Sequence, residues 1–87
     1  MPLSATFAVR ISGDSMTPRY VDKQIVYVKQ QHDLERGEVG IFVLNGNAYC
    51  KMLSGDMETE LVSLNSKYAP IKVREYDELW VLGKVVS

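Results

Sequence analysis

The dipeptide Asn45-Gly46 separates two apolar runs of equal length, 38–44 and 47–53. Both residues tolerate the positive φ angles of a type I′ turn, which is the tight connection that suits the twist of antiparallel strands. Because such a turn also fixes the register of the strands beside it, the dipeptide predicts a β-hairpin in the middle of the chain. Any fold for this sequence has to contain that hairpin.

The rest of the chain repeats this pattern of short apolar runs between turn residues. No segment longer than about one turn shows helical periodicity, and the runs are rich in valine, isoleucine and tyrosine. The sequence therefore predicts an all-β fold, a small single domain of six to seven short strands arranged as a barrel-like sheet or as two packed sheets. Gly83, inside the last run, indicates a bulge or a bend. The predicted strands are 6–11, 24–29, 38–44, 47–53, 59–64, 71–74 and 79–86.

Composition excludes several functional classes. Ten lysines and arginines balance eleven aspartates and glutamates in a chain of 87 residues, so we expect no basic surface that grips nucleic acid directly. Cys50 is the only cysteine, which rules out an intramolecular disulfide and fits a cytoplasmic location. No apolar stretch approaches the roughly 18 residues of a membrane span. Neither a glycine-rich phosphate loop nor a cluster of metal ligands is present in the sequence, so no cofactor and no metal are expected.

Lys51 is the one charged residue in the apolar run 48–53. Strand alternation places Tyr49, Lys51 and Leu53 on one face, and both faces are otherwise apolar, which indicates burial. Burial disfavours an ammonium group, so the pKa of Lys51 is predicted to be lowered, and a neutral lysine is a base. The alternative is an edge-strand lysine that opposes aggregation, which is the commoner role for a lysine on a strand.

The turn 12–16, of sequence Ser-Gly-Asp-Ser-Met, presents a candidate nucleophile. Gly13 allows a sharp bend, so the backbone amides of Asp14 and Ser15 are expected to converge on an oxyanion. Most serines in such turns instead bond the backbone. Paired with Lys51 as its base, however, Ser15 would complete a Ser-Lys hydrolytic dyad.

Other polar side chains are weaker candidates. Ser12 lies before the glycine and is expected to stabilise the turn. His32 lies in a polar loop without a second ligand at metal-binding spacing, and should be solvated. Cys50 alternates away from Lys51 and is expected to be a small core residue rather than a nucleophile.

At this point the motifs resemble a known family. The turn 12–16 and the strand 49–53 (Tyr-Cys-Lys-Met-Leu) resemble the S-G-x-S-M and V-K-R-L hallmarks of the carboxy-terminal domain of LexA-like repressors, the S24 peptidases, which include LexA, phage CI-type repressors and UmuD. The segment around Asn65, Tyr68 and Pro70 resembles the family pattern l-x-P-x-N-x-x-Y-x-P-i. Further segments that resemble the family are 21–28, 34–40 and 83–86. Asp22-Lys23-Gln24 departs from the family's D-G-D turn.

The resemblance implies a LexA/signal-peptidase-like fold with Ser15 as the nucleophile, Lys51 as the general base, and the amides of Asp14 and Ser15 as the oxyanion site. In the family the serine cleaves an Ala-Gly or Cys-Gly bond of its own chain, in a segment that leads to an amino-terminal helix-turn-helix domain. That cleavage is triggered by the RecA filament after DNA damage, the SOS response, and it inactivates the repressor. The resemblance therefore implies an S24-type domain over 1–87, with a DNA-binding domain outside this chain.

The implied partners are the protein's own chain as peptide substrate, a second copy in a homodimer, and the RecA filament as co-protease, with no membrane partner. DNA would be contacted only through the separate domain. The apolar segment 79–82 is the predicted self-association surface.

One observation opposes self-cleavage. The chain contains no Ala-Gly or Cys-Gly dipeptide, and few residues precede Ser15. The chain is then either a cleaved or truncated carboxy-terminal half, or a relative that no longer cleaves itself. The alternative function is a non-catalytic dimerisation module of a phage or stress-response repressor. A signal-peptidase-like enzyme, which also uses a lysine, is a third reading.

Overall fold

The computed structural model describes residues 3–87, and within them it contains seven β-strands and no helix. The all-β prediction is confirmed. Strand ends agree closely with the predicted ones, and the largest difference is at the fifth strand, which stops at Val62 rather than at position 64. The strands are β1 (Phe7–Arg10), β2 (Ile25–Gln30), β3 (Val39–Leu44), β4 (Asn47–Ser54), β5 (Thr59–Val62), β6 (Ile71–Val73) and β7 (Leu79–Val85).

The seven strands form one antiparallel sheet in the order β1-β2-β7-β3-β4-β5-β6. The sequence left open a barrel-like sheet or two packed sheets, and the structure contains one sheet rather than two. The sheet curls strongly, because Val9 of β1 and Cys50 of β4, which belong to strands that are not neighbours, line the same cleft. This curling brings the turn after β1 over the middle of β4.

The Asn45-Gly46 turn has the predicted geometry, with φ angles of 50° and 86°. It sets a register that runs from Leu44 opposite Asn47 to Val39 opposite Met52, and that places Lys51 opposite Gly40. The Asn45 amide is held by Asp77, through a hydrogen bond of 2.9 Å from Nδ2 to Oδ1. The hairpin therefore fixes the position of Lys51 along β4.

A bulge lies in β7, where the sequence placed it. Ile41 pairs with Gly83 but Phe42 pairs with Val81, so Leu82 is the extra residue on the bulged strand. Gly83 is required here because a Cβ at this position would overlap the carbonyl oxygen of Lys29 in β2.

The core has two clusters, and β4 passes between them. The first packs β1, β2 and β3 against Met16 of the turn, and the second is centred on Phe42 and Leu61. Cys50 and Met52 contact the first cluster, whereas Tyr49 and Leu53 contact the second. Apolar packing on both faces of β4 is what the alternation around Lys51 predicts. Within residues 3–87 there is no helix long and apolar enough to cross a membrane.

Candidate active site

Ser15 lies on a turn that is anchored at several points. Gly13 has a φ of 87°, and its amide donates to Asp22 Oδ1 at 2.8 Å. Met16 is 1% exposed and packs into the first core cluster, and its carbonyl oxygen accepts from the amide of Tyr20 at 2.9 Å. These contacts hold the turn against the core while Ser15 remains half-buried at its surface.

Lys51 and Ser15, which are 36 residues apart in sequence, meet in the structure. Lys51 Nζ lies 3.0 Å from Ser15 Oγ, which is within the range that a general base requires. Lys51 is only 7% exposed, so it is not a solvent-facing lysine that guards a sheet edge. The structure thus brings together the two side chains that the sequence analysis paired.

The amine of Lys51 has a second hydroxyl partner in Ser63. The distance from Nζ to Ser63 Oγ is 2.9 Å, and Ser63 is itself buried. The rings of Tyr49 and Tyr68 lie beside the amine, with centroids 5.8 and 6.0 Å from Nζ. Two hydroxyls and two aromatic rings therefore surround the nitrogen.

No carboxylate compensates the charge of Lys51 within the described part of the chain. The ion pairs there join Lys67 to Asp14, Arg74 to Glu58 and Lys84 to Glu38. Burial lowers the pKa of Lys51 below its usual 10.5, and the neighbouring Cys50 opposes this only in part. The neutral amine is accordingly more populated than in an ordinary lysine.

Sequence reasoning missed Ser63. The position falls at the end of the predicted strand 59–64, two residues after the fully buried Leu61. A serine at an inward position of an apolar strand was the available signal, because a buried hydroxyl needs a hydrogen-bond partner.

The carbonyl groups on either side of the nucleophile are held by Asn65. Asn65 Nδ2 donates to the Asp14 carbonyl oxygen at 3.0 Å, and the Asn65 backbone N–H donates to the Ser15 carbonyl oxygen at 2.9 Å. The Asp14 carbonyl also accepts from the hydroxyl of Thr17 at 2.8 Å. Within residues 3–87, the amide of Ser15 has no protein acceptor, whereas that of Gly13 donates to Asp22 and that of Asp14 lies against its own carboxylate.

The loop after β5 is also fixed to the serine turn through side chains. The hydroxyl of Tyr68 donates to the carboxylate of Asp14, and Lys67 Nζ lies 2.8 Å from Asp14 Oδ2. These two contacts lower the pKa of Asp14, so the carboxylate is ionised and the loop is held down at neutral pH.

The dyad opens into a cleft of about 280 Å³ between β1 and β4. Its apolar lining includes Ile11, Met16 and Ile41, and Arg10 is also among the lining residues. Two strands that line this space have unpaired edges: β1 ends the sheet, and β4 pairs with β5 only from Met52 onward. Unpaired backbone of both strands therefore lies beside the cleft.

The other predicted candidates lie elsewhere or are inert. His32 is exposed, and no group of metal-ligating side chains exists among residues 3–87. Cys50 lines the cleft but is half-buried, and burial raises the pKa of its thiol to about 11, so it stays protonated. Ser12 is exposed on the turn, next to the dyad but outside its hydrogen bonds.

Comparison with known proteins shows the family to which the chain is related. The family model described as Peptidase S24-like matches residues 2–86. The LexA repressor of Oleidesulfovibrio alaskensis is 40% identical over 83 residues, which cover 93% of this chain and 40% of that protein.

Two further LexA repressors show the same relationship. That of Ruminiclostridium cellulolyticum is 35% identical over 86 residues, covering 97% of this chain and 39% of its own length. That of Carboxydothermus hydrogenoformans is 34% identical over 90 residues, covering 99% and 43%. The chain thus spans about 40% of the length of these relatives. With a match along almost its whole length, the chain belongs to the S24 peptidase-like family, as a LexA-like domain.

Proposed function

We propose that this chain is the self-cleavage and dimerisation domain of a LexA-like repressor, acting as a serine endopeptidase with a Ser15–Lys51 dyad. The observation that carries the proposal is the 3.0 Å approach of a buried lysine amine to the hydroxyl of a serine on an anchored turn. A lysine whose pKa is lowered by burial, and whose amine hydrogen-bonds hydroxyls and no carboxylate, is suited to serve as a general base.

The first step is attack by Ser15 on the scissile carbonyl carbon. Neutral Lys51 takes the proton of the Ser15 hydroxyl as the new C–O bond forms, and becomes an ammonium. Ser63 Oγ accepts an N–H of the amine, which turns the nitrogen lone pair toward Ser15. Backbone amides at Asp14 and Ser15 bind the oxyanion, and each donor stabilises the transition state by an energy on the order of 3 kcal/mol.

The second step releases the two products. Lys51 returns its proton to the leaving amine as the C–N bond breaks, which leaves an ester on Ser15. Water then attacks the ester with Lys51 again as the base, and the serine hydroxyl is restored. Each proton therefore passes through one nitrogen atom, and no metal or cofactor takes part in the proposed sequence.

The substrate we propose is an extended segment of the protein's own chain. A peptide laid in the cleft would pair with the free edges of β1 and β4, as added strands do in other peptide-binding sites. The apolar lining suits a small apolar residue before the cleaved bond, as in Ala-Gly or Cys-Gly. Because neither dipeptide occurs in this chain, the cleaved bond would lie outside it.

The wider role is proposed from the relationship to LexA repressors. It includes an amino-terminal helix-turn-helix domain that contacts DNA, a homodimer, cleavage promoted by the RecA filament in the SOS response, and a cytoplasmic location. The alternative, a non-catalytic dimerisation module, is favoured by the missing Ala-Gly and Cys-Gly dipeptides. The two differ in whether the dyad cleaves a peptide.

The test uses the full-length protein that contains this chain, incubated alone and with a peptide that carries an Ala-Gly bond. Products are identified by mass spectrometry. We expect cleavage by the wild type and its loss, by at least about 10³-fold, in Ser15→Ala and Lys51→Ala, because the nucleophile or its base is removed. Ser66→Ala and Lys72→Ala change exposed residues of the same types and should cleave normally.

Thermal unfolding of each variant shows whether it remains folded. A folded Ser15→Ala or Lys51→Ala protein that cleaves at the wild-type rate contradicts the assignment of the dyad. A folded wild type that cleaves neither itself nor the added peptide supports the non-catalytic module.

A further inference from the structure

We infer that Asn65 is a positioning residue that aims the nucleophile and its oxyanion-binding amide, by clamping both peptide groups that flank Ser15. This inference rests on the proposed function. The geometry behind it involves two donors of one residue, the Asn65 side-chain Nδ2 and the Asn65 backbone N–H, which hold the carbonyls of Asp14 and Ser15 respectively.

The planarity of the peptide bond turns these contacts into a directional constraint. In a trans peptide group the carbonyl and the following N–H point in opposite directions. Holding the Asp14 carbonyl toward Asn65 therefore points the Ser15 N–H away from Asn65. Holding the Ser15 carbonyl as well fixes the rotation about both backbone bonds of Ser15, and with it the direction of the Cα–Cβ bond, while Oγ is held by its contact with Lys51 Nζ.

The clamping residues and the reactive groups lie on different sides of the turn with respect to the cleft. Ser15 lines the cleft, whereas Asn65 and Thr17 are not among its lining residues. The Ser15 N–H, directed away from the clamp, is the amide expected to face a substrate carbonyl. It has no protein acceptor within residues 3–87, so it is available to an oxyanion.

Thr17 strengthens the same constraint from a second direction. Its hydroxyl donates to the Asp14 carbonyl at 2.8 Å and accepts from Asn65 Nδ2 at 3.2 Å. Asn65 Oδ1 is used differently, since it accepts from the backbone N–H of Lys67 at 3.1 Å within its own loop. The two ends of the Asn65 side chain thus have separable tasks: Nδ2 holds the serine turn, and Oδ1 shapes the loop.

That separation gives a matched pair of variants. Asn65→Asp keeps the side-chain acceptor toward Lys67 but replaces the side-chain donor toward Asp14 by an oxygen. Asn65→Ala removes both of these side-chain groups and, like Asn65→Asp, keeps the backbone N–H. If Asn65 acts through its donor, both variants lower the maximum cleavage rate, by roughly 10- to 100-fold, which is typical for residues that orient catalytic groups. If the side chain only shapes the loop, Asn65→Asp cleaves at the wild-type rate, and the inference is wrong.

The dependence of cleavage rate on pH separates an effect on the orientation of Ser15 from an effect on the basicity of Lys51. Asn65 does not contact Lys51, whose amine meets Ser15, Ser63 and the rings of Tyr49 and Tyr68. The cleavage rate is expected to rise with pH to a plateau as Lys51 loses its proton and becomes a base. Asn65→Ala should therefore lower that plateau and leave the midpoint of this alkaline rise in place. A shifted midpoint with an unchanged plateau would assign Asn65 an action through Lys51 and overturn the inference.

A second measurement does not depend on turnover. A peptide boronic acid with an alanine-like terminus adds to Ser15 Oγ, whose proton passes to Lys51 while the boron becomes tetrahedral and anionic. We expect Asn65→Ala and Asn65→Asp to weaken this adduct by roughly 10-fold or more while an unreactive peptide of the same sequence binds as to the wild type. Equal weakening of both ligands, or of neither, contradicts the inference.

The outcomes distinguish this inference from the function on which it rests. A wild type that neither cleaves nor forms the boronate adduct overturns the proposed function. A wild type that does both, with Asn65 variants that match it, overturns only the role of Asn65. Ser66→Ala is the neighbouring control. If the Asn65 variants unfold, Thr17→Val replaces them, because it removes the hydroxyl that donates to the Asp14 carbonyl. It must then lower the maximum cleavage rate and weaken the boronate adduct, each by a smaller factor than is expected for Asn65.

Discussion

At the scale of single residues, the chemistry depends on an amine that is buried without a countercharge. Lys51 is surrounded by two hydroxyls and two aromatic rings, and its low exposure makes the ammonium form costly. Burial of Lys51 was predictable from the apolar residues on both sides of it. Ser63 was not singled out, because its contact depends on how β5 is placed beside β4.

Substituting Ser63 should separate the orientation of Lys51 from its basicity. Ser63→Ala removes an acceptor that favours the ammonium, so the pKa of Lys51 should fall further and the midpoint of the alkaline rise should move to lower pH. The maximum rate should fall about 10-fold, because the lone pair of the amine is no longer directed at Ser15.

Rate-against-pH measurements on the full-length protein, with Ser63→Thr as the variant that keeps the hydroxyl, check this expectation. A midpoint that stays in place or moves upward in Ser63→Ala would mean that Ser63 does not act on the amine. The titrating groups nearest to Lys51 are Cys50, Tyr49 and Tyr68, with the Asp14–Lys67 pair beyond Tyr68.

Another residue explains a departure from the family pattern. Lys23 occupies the place of the glycine in the family's D-G-D turn, and it has a φ of 72°. The left-handed backbone is thus retained without the glycine, at a cost of roughly 1 kcal/mol. The turn was therefore predictable from the pattern, whereas its tolerance of a lysine was not.

At the scale of strands and turns, local sequence signals predicted where the strands and turns lie but not which strands pair with each other. The Asn45-Gly46 hairpin follows from two adjacent residues, and its geometry is confirmed. The insertion of β7 between β2 and β3 was not predictable, because pairing between distant strands leaves no mark on the local alternation. The clamp from Asn65 to the serine turn was missed for the same reason.

Gly83 tests how tightly β2 and β7 are packed. We expect Gly83→Ala to lower the free energy of unfolding by about 2 kcal/mol, because the added methyl group overlaps the Lys29 carbonyl and the Val28 side chain. Gly46→Ala is the comparison. It has a positive φ but open space around its Cβ, so it should cost about 1 kcal/mol.

Denaturant unfolding of both variants provides the measurement. If Gly83→Ala proves as stable as the wild type, the strands are further apart than the structure places them, and the bulge at Leu82 has no packing cause.

At the scale of the whole molecule, the sheet leaves an apolar surface on β7. Trp80 is 65% exposed and Leu82 is 39% exposed, and Trp80 is paired across strands with Val43. The segment 79–82 was predicted as a self-association surface from its sequence alone. The exposure of Trp80 and Leu82 supports that prediction, whereas Leu79 and Val81 pack against the second core cluster. The homodimer remains a proposal.

Analytical ultracentrifugation of the full-length protein tests this surface. Trp80→Glu should raise the dimer dissociation constant by at least about 10-fold, because a buried aromatic anchor carries much of the energy of an interface. Tyr76→Glu, which changes another exposed aromatic residue outside this segment, should not. A wild type that is monomeric at high concentration contradicts the proposed surface.

The most direct measurement of the central claim is the titration of the Lys51 amine itself. The full-length protein, labelled with ¹³C at lysine Cε, is followed by NMR as pH rises, and the Lys51 signal is assigned with Lys51→Ala. Since burial disfavours the ammonium, we expect Lys51 to lose its proton below the usual pKa of 10.5 and before the exposed lysines do. A Lys51 signal that titrates together with the exposed lysines, or after them, would show that the amine is not a base at neutral pH and would contradict the proposed mechanism.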